Sequence, residues 1–194
     1  MKLAKFNIVG LGRLSASRMH NLPKSNDRET HEDYRERTWK EHFYFDAHGQ
    51  GFLTPMAMKN ALTDTAAYLK MKVKGSATYK KVFEAGILCV DPLLLFKVGG
   101  APITRDHLQK EELFLPSDGI RGSGKRVWKN YPFIDDWTAP CEVIVVDHQI
   151  GDKIFAEHVE KAGLLVGLGR FRPARNGFYG RFKITNLEIA DYAG

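Results

Sequence analysis

The chain has 194 residues, of which 43% are hydrophobic and 27% charged, and its formal net charge is +6. Length and composition suit one globular domain with its own core, and no apolar run is long enough to cross a bilayer. The positive balance admits an anionic partner, and Lys and Arg gather in residues 13–40, 70–81, 121–129 and 170–183, with nearly charge-free apolar segments between them.

Residues 3–9 (LAKFNIV) predict a strand. This basic N-terminus is too short, and too broken by Asn7 and Gly10, to read as a secretory signal. Residues 55–70 predict a helix, with Thr54 as N-cap, Pro55 at the first helical position, and Met58, Leu62, Ala66 and Leu69 on one face. Residues 85–95 (AGILCVDPLLL) predict a buried strand interrupted at Pro92, and residues 141–147 another strand. Residues 152–165 predict a helix starting near Asp152, with Ile154, Phe155, Val159 and Ala162 on one side. Residues 179–189 predict the last strand, whose apolar positions Phe182, Ile184 and Leu187 slip once out of alternation. Strand–helix–strand, stated twice, predicts an α+β fold with a ferredoxin-like (RRM-like) βαββαβ core.

Residues 10–53 and 96–139 exceed that core and read as two long insertions in a single domain spanning 1–194. The first contains HEDYRERTWKEHFYFD, ending in a strand that runs to a turn at Asp46. The second contains a short helix (TRDHLQKEE) and a glycine-rich basic loop (SDGIRGSGKRVWKN), with Trp128 as a candidate buried anchor. Cys89 and Cys141 sit in apolar runs. They read as buried free thiols of a reducing compartment, hence a cytoplasmic protein, with a disulfide the weaker alternative.

Residues 163–184 combine Arg170, Arg172, Arg175 and Arg181 with Gly167, Gly169, Gly177 and Gly180, and interleave Phe171, Phe178, Tyr179 and Phe182. Guanidiniums fork onto phosphates, aromatic rings stack on bases, and glycines let backbones approach closely. The bland alternative is a tight turn whose aromatics pack onto the sheet.

A glycine- and arginine-rich loop between the last helix and last strand resembles that of the RAMP superfamily, the RNA-binding proteins of CRISPR systems. Residues 52–62 (FLTPMAMKNAL) are similar to the start of that family's first helix. There the resemblance implies phosphate contact through helix N–H groups, Lys59 and Asn60. The first insertion resembles the thumb-like loop of the subunit that polymerises along a guide RNA, with Arg13, Arg18, His20 and Lys24 as donors. The basic loop of the second insertion adds Arg121, Lys125 and Arg126, and the glycine-rich loop adds Arg170, Arg172, Arg175, Tyr179 and Arg181. The resemblance implies single-stranded RNA, copies of the chain itself and further subunits of an effector complex as partners, with no cofactor and no membrane.

Other readings stay open. The same loops would serve a single-stranded DNA-binding or annealing protein, or an assembly protein that binds no nucleic acid. An endoribonuclease would draw on His20, His31, Asp27 or Asp33, although nothing around them singles one out. GIRGSGKR (119–126) nearly spells a phosphate-binding loop, but Arg126 stands where magnesium would need a hydroxyl. The seven histidines show no ligand spacing.

Overall fold

Strand β1 (Lys2–Gly10) turns Ala4, Phe6 and Ile8 into the core and Lys5 outward, the period-two pattern of a sheet covered on one face. The structure is a computed structural model and describes residues 1–120, 122 and 124–193. The elements that follow are α1 (His31–Thr38), a 3-10 turn (Trp39–His42), β2 (Tyr44–Phe45), β3 (Gly51–Leu53), α2 (Pro55–Leu69), β4 (Lys72–Lys74) and β5 (Ala77–Thr78). Then come α3 (Tyr79–Gly86), β6 (Ile87–Leu88), β7 (Leu93–Leu94), β8 (Phe96–Lys97), β9 (Gln109–Pro116), β10 (Arg126–Phe133), β11 (Trp137–Val145), α4 (Asp152–Lys161) and β12 (Phe182–Asp191). The molecule is mixed α and β, with antiparallel sheets and four α-helices among the described residues. None of those helices is long and apolar enough to cross a membrane.

The principal sheet runs β12–β1–β11–β6, with β8 paired to the start of β11. The central strand β1 pairs with β11 from Lys2↔Val145 to Val9↔Thr138, and with β12 on its other side. All these pairings are antiparallel, so β1 runs parallel to β6, and β11 parallel to β12. Helix α2 lies in the first of the two crossovers and α4 in the second. The helices bury Met58, Leu62 and Ala66 from α2, and Phe155 and Val159 from α4, with Phe6 meeting Phe155 edge-on at 6.2 Å.

The slip in the last strand is a β-bulge. The register shifts between Lys5↔Glu188 and Asn7↔Thr185, and Asn186 adopts φ 55°. One extra residue on β12 moves the apolar set from Phe182 and Ile184 to Leu187 and Ile189.

Several expectations need correction. Residues 85–95 are not one buried strand: α3 runs through Gly86, β6 joins the principal sheet, and β7 pairs with β3 elsewhere. Leu88 and Val90 of this stretch are exposed. The short helix expected at TRDHLQKEE is a 3-10 turn, Arg105–His107, that leads into β9. Strands β9 and β10 form a two-stranded hairpin with the basic loop at its tip. Trp128 is no buried anchor; it is 57% exposed and packs against Phe114 at 5.2 Å. Both cysteines are free, Cys141 buried and Cys89 half-buried, and burial pushes the Cys89 thiol up to about 11. Asp33, one of the residues an endoribonuclease would draw on, is exposed at the start of α1. It closes a capping box with Thr30 there.

Candidate nucleic-acid interface

The glycine-rich loop, residues 167–181, follows α4 and a π turn (Ala162–Val166) and leads into β12. Its glycines permit close backbone contact. Gly169 has φ 71°, and a Cβ there would lie 2.2 Å from the Ser15 carbonyl oxygen. Gly180 has φ 68°, and a Cβ there would lie 1.9 Å from the Leu168 oxygen. The loop is therefore bonded directly to the start of the first insertion. The Arg170 and Gly180 amides donate to the Ser15 and Arg13 carbonyls, each at 2.6 Å, and the Leu11 amide donates to the Arg181 carbonyl at 2.8 Å. The other side of this strap meets the corner between β10 and β11. Leu14 and Ile134 exchange backbone bonds of 2.9 Å, and the Ser15 hydroxyl donates to the Pro132 carbonyl at 2.7 Å.

A ladder of rings runs beneath the joint. Centroid distances are 4.7 Å for His20–His42, 5.9 Å for His42–Tyr131, 5.6 Å for Tyr131–Phe171 and 5.8 Å for Phe171–Tyr179. The Arg170 guanidinium lies over Tyr131, 4.1 Å from its centroid. The Tyr179 hydroxyl donates to the Glu111 carboxylate at 2.6 Å, and burial, seconded by that bond, raises its pKa. Arg13 reaches the same carboxylate at 3.2 Å and stacks on Phe133 at 4.1 Å. Burial lowers the pKa of His42, opposed by its bond to the Arg18 carbonyl and reinforced by the charge of His20 and Arg170.

The sequence-predicted site residues thus divide by what holds them. Arg13, His20, Arg170 and Tyr179 form the joint itself, and Tyr179 is buried. Arg172 bonds Asp64 of α2 at 3.2 Å, and the Arg181 Nε donates to the Leu164 carbonyl at 3.1 Å. Arg175 is exposed. Arg18 approaches Glu41 at 3.7 Å, and Lys24 donates to the Glu29 carbonyl at 3.0 Å. Glu29 in turn grips Arg37 through two bonds of 2.7 and 3.0 Å, and that hydrogen bonding holds its carboxyl down at about 2.

The Lys59 ammonium donates to the carbonyls of Glu84 and Ile87, at 2.6 and 2.9 Å, at the end of α3, while Asn60 is exposed on α2. Lys125 is exposed beside the hairpin tip, and Arg126 donates to the Phe114 carbonyl at 2.6 Å over that ring. Arg121 lies outside the described residues.

Sequence reasoning missed Glu111, Tyr131 and Phe133, which come to the site only through the β9–β10 hairpin. Phe178, named among the rings of the loop, is 68% exposed there. Among the described residues no group of three or more His, Cys, Asp or Glu is placed to hold a metal ion. Most of the loop's cations and rings are engaged within the molecule, while Arg175 and Phe178 are exposed.

No family model matches the sequence, and no curated protein matches it. The fold is found among solved structures. A chain in the cryo-EM structure of the Type III-B Cmr-beta bound to cognate target RNA is similar at TM-score 0.56 and 10% identity, over 97% of this chain and 60% of that one. This chain therefore spans about three-fifths of the chain it matches. Cmr6 from Pyrococcus furiosus is similar at TM-score 0.45 and 12% identity, over 95% and 99% of the two chains. A chain of a CRISPR RNA-guided surveillance complex gives 0.42 and 11%, over 97% and 68%. At 10% identity the likeness to the Cmr-beta chain is one of fold.

Proposed function

We propose that this chain is a non-catalytic RAMP-type subunit that holds single-stranded guide RNA by its backbone and lines up in several copies along it, within a CRISPR-type ribonucleoprotein. The observation that carries this reading is the likeness in fold, over nearly the whole chain, to a chain from an RNA-bound Cmr-beta. The sheet order β12–β1–β11–β6, with α2 and α4 in the crossovers, supports a ferredoxin-like core. The glycine-rich loop fits an RNA contact because it projects Arg175 and Phe178 from a base that is otherwise internally bonded. Leu88, Val90 and Val98 are exposed and supply apolar surface for contact between copies. Two candidates for cleavage chemistry have structural employment: His20 packs between Tyr34 and His42, and Asp33 caps α1.

The test is binding of the purified protein to a labelled single-stranded RNA of about 40 nucleotides, against DNA of the same sequence and duplex competitors, with sizing of the complex. RNA-preferring, salt-weakened binding in multi-copy assemblies is expected. Preference for DNA would make it a recombination-type protein. Cleavage of the RNA would make it a nuclease, and absence of binding would leave an assembly protein.

A further inference from the structure

The chain carries 29 Lys and Arg against 23 Asp and Glu. Two stretches without any acid hold ten of those cations. Residues 70–81 contain Lys70, Lys72, Lys74, Lys80 and Lys81, and residues 170–183 contain Arg170, Arg172, Arg175, Arg181 and Lys183. The other 168 residues carry 19 cations against 23 acids, so all the excess positive charge resides in these two stretches.

Lys70 from the first stretch and Pro173, Ala174 and Arg175 from the second line one groove, together with Asp64, which pairs with Arg172. The groove is open, about 680 Å³ in volume, with Tyr68 and Lys70 at the end of α2 on one wall and Leu165, Pro173 and Arg175 on the other. Lys70 takes a left-handed cap, φ 52°, and turns the chain out of α2 into β4. In β4, Val73 packs toward the core, while Lys72 and Lys74 are exposed on the opposite face. The ion pairs made from the two stretches are Lys80 with Glu84 and Arg172 with Asp64. Lys70, Lys72, Lys74 and Arg175 are thus uncompensated among the described residues. Tyr68 stands beside them, 65% exposed. An exposed ring flanked by uncompensated cations suits single-stranded nucleic acid, because rings stack bases and cations replace phosphate counterions.

We propose that this groove and the lysine row of β4 form a second track for single-stranded RNA. Tyr68 stacks a base, Lys70 and Arg175 take the flanking phosphates, and Lys72 and Lys74 carry the strand along β4, which pairs antiparallel with β5. The track rests on the RNA-binding reading above. It lies at the far end of α2 from the helix start of the family resemblance, about 20 Å away for a helix of this length.

The test measures affinity and salt dependence for the same labelled RNA. The variants are the double charge reversal Lys72→Glu with Lys74→Glu, Tyr68→Ala, and the control Lys153→Glu on α4, each checked for unchanged circular dichroism and melting. The double variant is expected to bind at least tenfold more weakly, and the slope of log affinity against log salt is expected to fall by about 0.7 for each phosphate no longer neutralised. Tyr68→Ala is expected to weaken binding roughly tenfold, and the control to bind normally. A folded double variant with unchanged affinity and slope would overturn the track while leaving the RNA-binding reading intact. A control that weakens as much as the double variant would overturn it too, because net charge alone would then explain the weakening. Failure of the unmodified chain to bind RNA would overturn the broader reading, and the track with it.

Discussion

Two arginines five positions apart on one loop have different expected fates. Arg170 is stacked on Tyr131, and its Nε is buried with no hydrogen-bond partner among the described residues. Arg175 is exposed. Arg170→Ala is expected to cost about 1–2 kcal/mol of stability by removing stacking and packing, and Arg175→Ala less than about 0.5 kcal/mol. Chemical denaturation of both variants checks this, and equal destabilisation would show that Arg170 does not hold the joint.

Acid sensitivity also belongs to single residues. His158 is fully buried and stacked on Phe83 at 4.3 Å, and its Nδ1 donates to the Ile154 carbonyl at 2.7 Å. Burial, the leading cause, lowers its pKa below 6.5, so in mild acid the unfolded chain takes up a proton that the folded chain resists. Stability from this group is therefore complete above that value and falls as pH drops below it. Glu29 adds a second decline at lower pH, because its paired carboxylate stabilises the fold above about 4.5 and that stabilisation disappears toward about 2. Denaturant midpoints at about pH 7.5 and about pH 5.5 are expected to separate less in His158→Phe than in the unmodified protein.

At the scale of elements, the legible parts were those whose pattern is local. The apolar face of Met58, Leu62 and Ala66, with Pro55 at the start, marked α2 to within a residue. The out-of-step Leu187 marked a bulge that only the paired strand explains. Helix α3 went unread because Tyr79, Val82 and Phe83 make just one short apolar turn beside a run of strand-forming residues. Its fixation is non-local, through the Lys59 ammonium of α2 on the carbonyls at its end. Lys59→Met is accordingly expected to destabilise by about 1–3 kcal/mol, with accelerated amide exchange concentrated in residues 79–88. Unchanged exchange there would mean that packing alone docks α3. The site was half legible for the same reason. The loop announced its arginines and glycines, whereas Glu111 reaches Tyr179 only because a hairpin 68 residues upstream folds against it.

For the whole molecule, the order of elements was enough to expect a mixed α and β fold, and its principal sheet runs β12–β1–β11–β6 with antiparallel pairings. Placement of the two insertions was not legible, since they are fixed by bonds between residues more than a hundred positions apart, such as Ser15 to Pro132 and the Trp137 indole to the Gly12 carbonyl. Nor does composition reveal that a modest net charge is the difference between a slightly acidic remainder and two acid-free basic stretches.

The bulge at Asn186 has a consequence for solubility. Strand β12 is ten residues long and, among the described residues, pairs only with β1, so its far side is an open edge facing other chains. The left-handed Asn186 breaks the flatness of that rim, and Lys183, Glu188 and Asp191 stud it with charge. Deleting Asn186 would straighten the rim into a template on which further chains could add. Such a variant is expected to fibrillise at concentrations where the parent stays clear, with thioflavin fluorescence rising over hours. A deletion variant that remained monomeric would place the protection in the charges alone.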